Sequence, residues 1–210
     1  MERAHCRAQS PNPSTERRSK GRFAPFAPPL MSNVKASNQP LPGASVSERK
    51  VHTASLADRL PIQRMLELYQ HDLSDIWNQD LDSHGEYGYA LDRYWDSEGF
   101  HPFVATVDGK YAGFALVNQA VRVGTHGYWM DQFFVLKKYR HQGVGRLLAR
   151  SVFAALVGRW EVGQMPENRP AQAFWRDVIS RYTGDCFKEH EVRAGGWQGV
   201  IQVFESTALQ

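Results

Sequence analysis

The run Arg140-His-Gln-Gly143-Val-Gly145 joins an aromatic apolar stretch to a helical one. These residue types at this spacing suit an anion. Glycines let backbone approach a ligand closely, and successive N–H groups at a helix N-terminus point at phosphate oxygens. The helix dipole favours the same negative charge. Lys137, Lys138, Arg140 and Arg146 add positive field around the turn. The spacing is too short for a Walker loop. The third glycine of a dinucleotide fingerprint would fall on Leu148. On these residues alone, a plain glycine turn between strand and helix is an equal alternative.

The neighbouring elements must position this turn. Tyr128–Val135 reads as a strand, and Val144, Leu147, Leu148, Val152, Phe153 and Leu156 form the stripe of an amphipathic helix. Ala171, Phe174, Trp175, Val178, Ile179 and Tyr182 form a second stripe, and 160–162 a short strand between the two. Upstream, 51–55 reads as a strand. Asp58 is a plausible N-cap for a helix carrying Ile62, Met65, Leu66 and Tyr69, with Pro61 in its first turn. Residues 72–100 lack a clean period and are expected to hold a short helix and loops. Asp108-Gly109 marks a hairpin between 101–107 and 111–118. Strands at 185–192 and 197–204 flank a turn at Gly195-Gly196. Strands mixed with single helices imply an α/β or α+β sheet domain.

Hydrophobic residues make up 42% of the 210 and charged residues 22%, enough to bury a sizeable core. No run of 18 apolar residues is present, so a membrane-spanning helix is excluded. The net charge of +3 is uneven: residues 1–50 carry nine Lys/Arg against three Asp/Glu. Seven of the eleven prolines lie there too. Residues 1–49 therefore read as a disordered, basic Pro/Ser-rich tail and 50–210 as one domain. An organelle transit peptide, or a true start at Met31, is the lesser reading of the tail. Because the basicity sits in the tail, a nucleic-acid-binding fold is not implied. Cys6 and Cys186 cannot build a disulfide framework, and His71, His84, His101 and His126 have no ligand spacing, so no metal site is expected.

The run from Asp131 to Leu148 resembles the GNAT family of N-acetyltransferases, meeting its Arg-x-x-Gly-x-Gly signature with Arg140, Gly143 and Gly145. A second family block, Asn-x-x-Ala-x-x-Phe-aromatic, is met by Asn168, Ala171, Phe174 and Trp175. The resemblance implies a mixed, mostly antiparallel sheet whose fourth and fifth strands splay to hold acetyl-CoA, with no metal. It implies that backbone of Gln142, Gly143, Val144, Gly145 and Arg146 cradles the pyrophosphate. It implies that Phe133, Phe134 and Val135 pair with the pantetheine arm like an added strand. Asn168 and Phe174 match positions beside the CoA.

Acetyl transfer needs an amine with a free lone pair, so a base must take a proton directly or through water. Asp131 stands where many family members carry a catalytic glutamate. Even strand alternation puts it on one face with Phe133 and Val135. Where relatives often place a tyrosine acid this chain has Trp175, whose indole N–H can only hydrogen-bond a sulfur. Tyr182, seven residues on, is a weak substitute and reads better as packing. Cys186 lies past both blocks, so direct attack in a ternary complex is expected.

Residues 72–100 hold eight acids (Asp72, Asp75, Asp80, Asp82, Glu86, Asp92, Asp96, Glu98) against Arg93. An acidic wall there would favour a cationic acceptor; a solvated loop is the plainer reading. The expected function is a cytoplasmic acetyl-CoA-dependent N-acetyltransferase acting on a primary amine of a small molecule or peptide. Neither nucleic acid nor membrane is an expected partner, and a homodimer follows the habit of relatives. The rivals are a non-catalytic acetyl-CoA sensor and an acyltransferase with another donor or a hydroxyl acceptor.

Overall fold

The computed structural model describes residues 47–194 and 197–208. The expected tail, but for its last three residues, and the turn at 195–196 lie outside them. Seven strands form one sheet in the order β1-β2-β3-β4-β5-β7-β6. They are β1 (Arg49–Thr53), β2 (His101–Val107), β3 (Lys110–Asn118), β4 (Tyr128–Val135), β5 (Gly158–Gln164), β6 (Phe187–Ala194) and β7 (Trp197–Ser206). Every pairing is antiparallel except β4 with β5. The β2–β3 hairpin turns on Asp108 (φ 49°) and Gly109 (φ 72°), the two positive φ values a two-residue turn of this hand requires.

Helices cover both faces. Helices α3 (Val144–Ala155) and α4 (Arg169–Thr183) pack one face through Leu148, Val152, Phe153, Val178 and Ile179, against Val117, Met130, Trp160 and Phe204 of the sheet. On the other face α1 (Arg59–Trp77) and the short α2 (Arg93–Asp96) bring Ile62, Leu66 and Tyr94 onto Val104, Phe114, Leu116 and Phe134. Helix α1 is longer than its core stripe suggests and ends at Asn78 in the left-handed region (φ 50°). Its last turns present Leu73, Ile76 and Trp77 to a cleft instead of the core, so their helical spacing is not a burial pattern. No helix among the described residues is long and apolar enough to cross a membrane.

Two irregularities of β4 organise the site. First, β4 and β5 pair only at Tyr128 with Trp160 and Trp129 with Glu161, then part. The Leu136 N–H donates to Ala112 on the β3 side, so by alternation the backbone groups of Phe133 and Val135 face the open edge. Second, β4 carries a bulge. Leu116 sits opposite Gln132 and Val117 opposite Met130, which leaves Asp131 as the extra residue.

The bulge corrects the expected facing. Phe133 and Val135 pack with α3 and α4, whereas Asp131 turns to the α1–α2 face, where Tyr89 and Tyr94 meet it. An extra residue in a period of two places its successors on the opposite face from the one even alternation assigns.

Candidate active site

The parted strands open a cleft with two connected ends. One, of about 810 Å³, is lined by Phe133, Val135, Gly143, Gly145, Arg146 and Phe174, among others. The other, of about 600 Å³, is lined by Arg122, Trp129, Asp131, Gln132, Gln164 and Glu167, among others. Tyr69, Leu73, Ile76, Phe133, Glu167, Asn168, Ala171 and Trp175 border both ends, so they mark the junction.

The first end is built as an anion cradle. Gly143 caps α3 in the left-handed region (φ 81°). The Leu147 N–H bonds back to Gly143, leaving the N–H groups of Val144, Gly145 and Arg146 as the open first turn of a twelve-residue helix. A Cβ on Gly145 would lie 3.2 Å from Cζ of Phe174, so this glycine lets the Phe174 ring lie on α3. The side-chain charges are less available than their types suggest. Arg140 Nε donates to the Val135 carbonyl at 2.7 Å, and its Nη2 to Asp72 at 2.6 Å. Lys137 also pairs with Asp72 (3.0 Å), and Arg146 with Asp177 (3.0 Å). Gln142 folds back to the Lys138 carbonyl. The cradle thus rests on backbone N–H groups and the helix dipole, with Lys138 as the member of the basic quartet unpaired to any carboxylate among the described residues.

The second block closes the opposite wall. Asn168 caps α4, its side chain accepting from the Ala171 N–H at 3.1 Å, with Pro170 beside it in the first turn. That cap uses the Asn168 side-chain oxygen and sets where Phe174 and Trp175 emerge. Trp175, only 5% exposed, meets Phe133 edge-on at 4.7 Å and Phe174 at 5.1 Å. Tyr182 lies outside the cleft: its hydroxyl donates to the Thr207 carbonyl and its ring packs on Phe153. It is a packing residue.

Asp131 sits at the second end. The hydroxyls of Tyr89 and Tyr94 both donate to its Oδ2, at 2.6 and 2.5 Å. Burial and then the Asp131 charge push the Tyr94 hydroxyl far above its usual range, and Tyr89 upward likewise, so both are donors at any physiological pH. Tyr69, from α1, is pushed up by burial and by the charges of Asp131 and Tyr89. The sequence missed this tyrosine shell because Tyr69 falls on a core-spaced stripe and the other two lie some forty residues from Asp131. Their only signal is aromatic density in 87–95.

The acidic segment follows the plainer reading and leaves the cleft largely unwalled by its carboxylates. Of its eight acids only Asp72 and Asp75 border it, at the cradle end. Asp92 pairs with Arg59, Glu86 with Arg64, and Asp82 accepts the N–H groups of His84 and Glu86. Those carboxylates hold the connection in shape. Among the described residues no group of three or more potential ligands could hold a metal ion.

A buried acid outside the segment shapes the far rim. Glu161, 0% exposed, accepts the N–H groups of Arg122 (2.6 Å), Val123 (2.9 Å) and Gly124 (2.6 Å). Burial would raise its pKa, but these three donors and the nearby Arg159 outweigh burial and hold it below the usual range.

The model of the acetyltransferase (GNAT) family matches residues 62–178. The chain belongs to this family. The fold is shared with the ribosomal-protein-S18-alanine N-acetyltransferase of Escherichia coli at 18% identity and a TM-score of 0.50, covering 78% of this chain and 97% of that one. An aminoglycoside acetyltransferase solved with coenzyme A aligns at 16% identity and a TM-score of 0.55, covering 75% and 95%. A Salmonella typhimurium protein solved with its cofactor acetyl-CoA aligns at 14% and 0.52, covering 75% and 93%. Compared with curated protein sequences, the chain finds no match. The mostly antiparallel sheet, with β4 and β5 splayed, is the architecture the sequence implied for this acetyltransferase.

Proposed function

We propose that this acetyltransferase is a cytoplasmic enzyme that uses acetyl-CoA to acetylate a primary amine by direct attack in a ternary complex, with residues 50–210 carrying the activity. The observation that supports it most is the parted β4–β5 edge. It joins a backbone anion cradle at Gly143–Arg146 to the Asp131 carboxylate through one cleft.

The residues fit a CoA thioester. The open α3 turn takes the pyrophosphate, the Gly145–Phe174 wall the arm, and the free Phe133 and Val135 backbone groups the amides. One Val135 carbonyl lone pair is already held by Arg140, so pairing falls chiefly on the Phe133 groups and the Val135 N–H. Bound acetyl-CoA supplies an activated acetyl group, whose C–S bond breaks as the acceptor nitrogen bonds the acetyl carbon and CoA leaves as the thiolate, which solvent then protonates.

Asp131 receives the proton that the attacking amine loses, directly or through one water. Tyr89 and Tyr94 fix its Oδ2, and the residue lines the cleft end where the amine would sit. Trp175 excludes water at the junction and orients the Phe133 strand segment. Two donors border the junction for the leaving sulfur: the Trp175 indole N–H expected from the sequence, and the Tyr69 hydroxyl, which burial and the charges of Asp131 and Tyr89 keep protonated.

CoA release by the full chain with acetyl-CoA and an amine panel tests the reading. Turnover on amines supports it. Tight acetyl-CoA binding without turnover on any amine would replace it with a sensor module.

A further inference from the structure

The rim of the second end holds a cation with no carboxylate partner among the described residues. The Arg122 guanidinium lies 4.9 Å from the Trp129 ring centroid and 5.5 Å from that of Trp197. The two indoles meet edge-on at 5.8 Å. Both seat on glycine: a Cβ on Gly163 would come within 2.4 Å of Trp129 and 2.9 Å of Trp197, and one on Gly199 within 2.9 Å of Trp197. Below them, Glu161 clamps the Arg122 backbone N–H. Backbone and side chain are therefore both held. A guanidinium lying against aromatic faces keeps its N–H edge for a planar anion.

Trp129 and Asp131 lie two residues apart on β4, and both line this end of the cleft. The cleft end therefore presents a carboxylate and an arginine side by side. Gln132 and Gln164 border the same space, and their buried Oε1 atoms have no hydrogen-bond partner among the described residues.

We infer that the acceptor is an amine that also carries a carboxylate: its amine faces Asp131, its carboxylate takes Arg122, and a chain of several atoms separates them. This rests on the acetyltransferase reading above and names its substrate class. It replaces the purely cationic acceptor that the acidic segment suggested. A free ω-amino acid and a short peptide with a free C-terminus share this chemistry.

The test compares matched acceptors on the full-length protein. One arm holds ω-amino acids of three to six carbons, the second the diamines of equal length, the third glycyl dipeptides. The expected result is a kcat/KM at least tenfold higher for the ω-amino acids or the dipeptides than for the diamines. The better of those two arms identifies the source. In Arg122→Gln the KM for carboxylated acceptors rises at least tenfold, while kcat and the acetyl-CoA KM stay within about threefold. Diamine preference, or a preference that survives Arg122→Gln, overturns the inference.

Binding gives a readout independent of turnover. With CoA saturating, 5-aminopentanoate is titrated against indole fluorescence, with 1,5-diaminopentane as control. Saturable binding of the first that Arg122→Gln loses supports the inference, and no excess over the diamine overturns it. If CoA itself does not bind, the acetyltransferase reading fails separately.

Discussion

The Tyr94 hydroxyl lies 2.5 Å from Asp131 Oδ2, which ties the short helix α2 to the bulge of β4. The carboxylate is thereby presented by a strand and held from outside it. A charged hydrogen bond of this kind contributes about 1.5–3 kcal/mol. Asp131→Asn should lower kcat/KM at least tenfold, about 1.4 kcal/mol of transition-state stabilisation, with the acetyl-CoA KM unchanged. Tyr94→Phe should lower kcat less, because Tyr89 remains. Steady-state kinetics on the best amine decides it, and an unchanged Asp131→Asn removes the residue from the chemistry.

Gly145→Ala separates binding from folding. The new Cβ would press on Phe174 at 3.2 and 3.3 Å and approach Val135 Cγ2 at 3.6 Å. Alanine improves the helix by about 0.5–1 kcal/mol, which offsets the crowding. The acetyl-CoA KM should rise roughly tenfold, about 1.4 kcal/mol, while the denaturation midpoint barely moves. Gly143→Ala, at φ 81°, should instead cost about 1–2 kcal/mol of stability.

Arg140→Lys is not a conservative change here. The guanidinium reaches a strand carbonyl and the Asp72 carboxylate at once, and lies 5.3 Å over the Phe134 ring. A lysine cannot span both partners. A loss of about 1–2 kcal/mol in urea denaturation is expected, with Val135 freed at the cleft edge.

Glu161 gives the acid limb of stability its sign. Its folded pKa lies below the ordinary value of 4.5. Its contribution is whole above that value and is lost as pH falls from there through the folded pKa. Wild type should therefore lose stability steeply below about pH 4.5, and Glu161→Gln more shallowly from a start lower by about 3 kcal/mol. Denaturant midpoints at pH 7, 5, 4 and 3 measure both slopes.

The parts of this molecule legible in sequence were those written in local period and turn chemistry. Gly143 at the head of α3, the Asn168 cap and the hairpin at Asp108-Gly109 all stand where their residue types require. The direction in which Asp131 faces was not legible, because a bulge depends on what the neighbouring strand places opposite. Nor was the partnering of Lys137 and Arg140 with Asp72, which is a contact between α1 and the turn that follows β4. Arg122 gave no signal, since its neighbours Trp129 and Trp197 meet only once the sheet has formed.

The clamp of Glu161 on residues 122–124 has a consequence for descent. The connection before β4 has no regular structure, yet its course is dictated by a carboxylate seated inside a strand. Exchanging the side chain at 122 leaves that course in place. New acceptor preferences can therefore arise by drift at a single codon, while the frame that delivers the acetyl group is inherited intact.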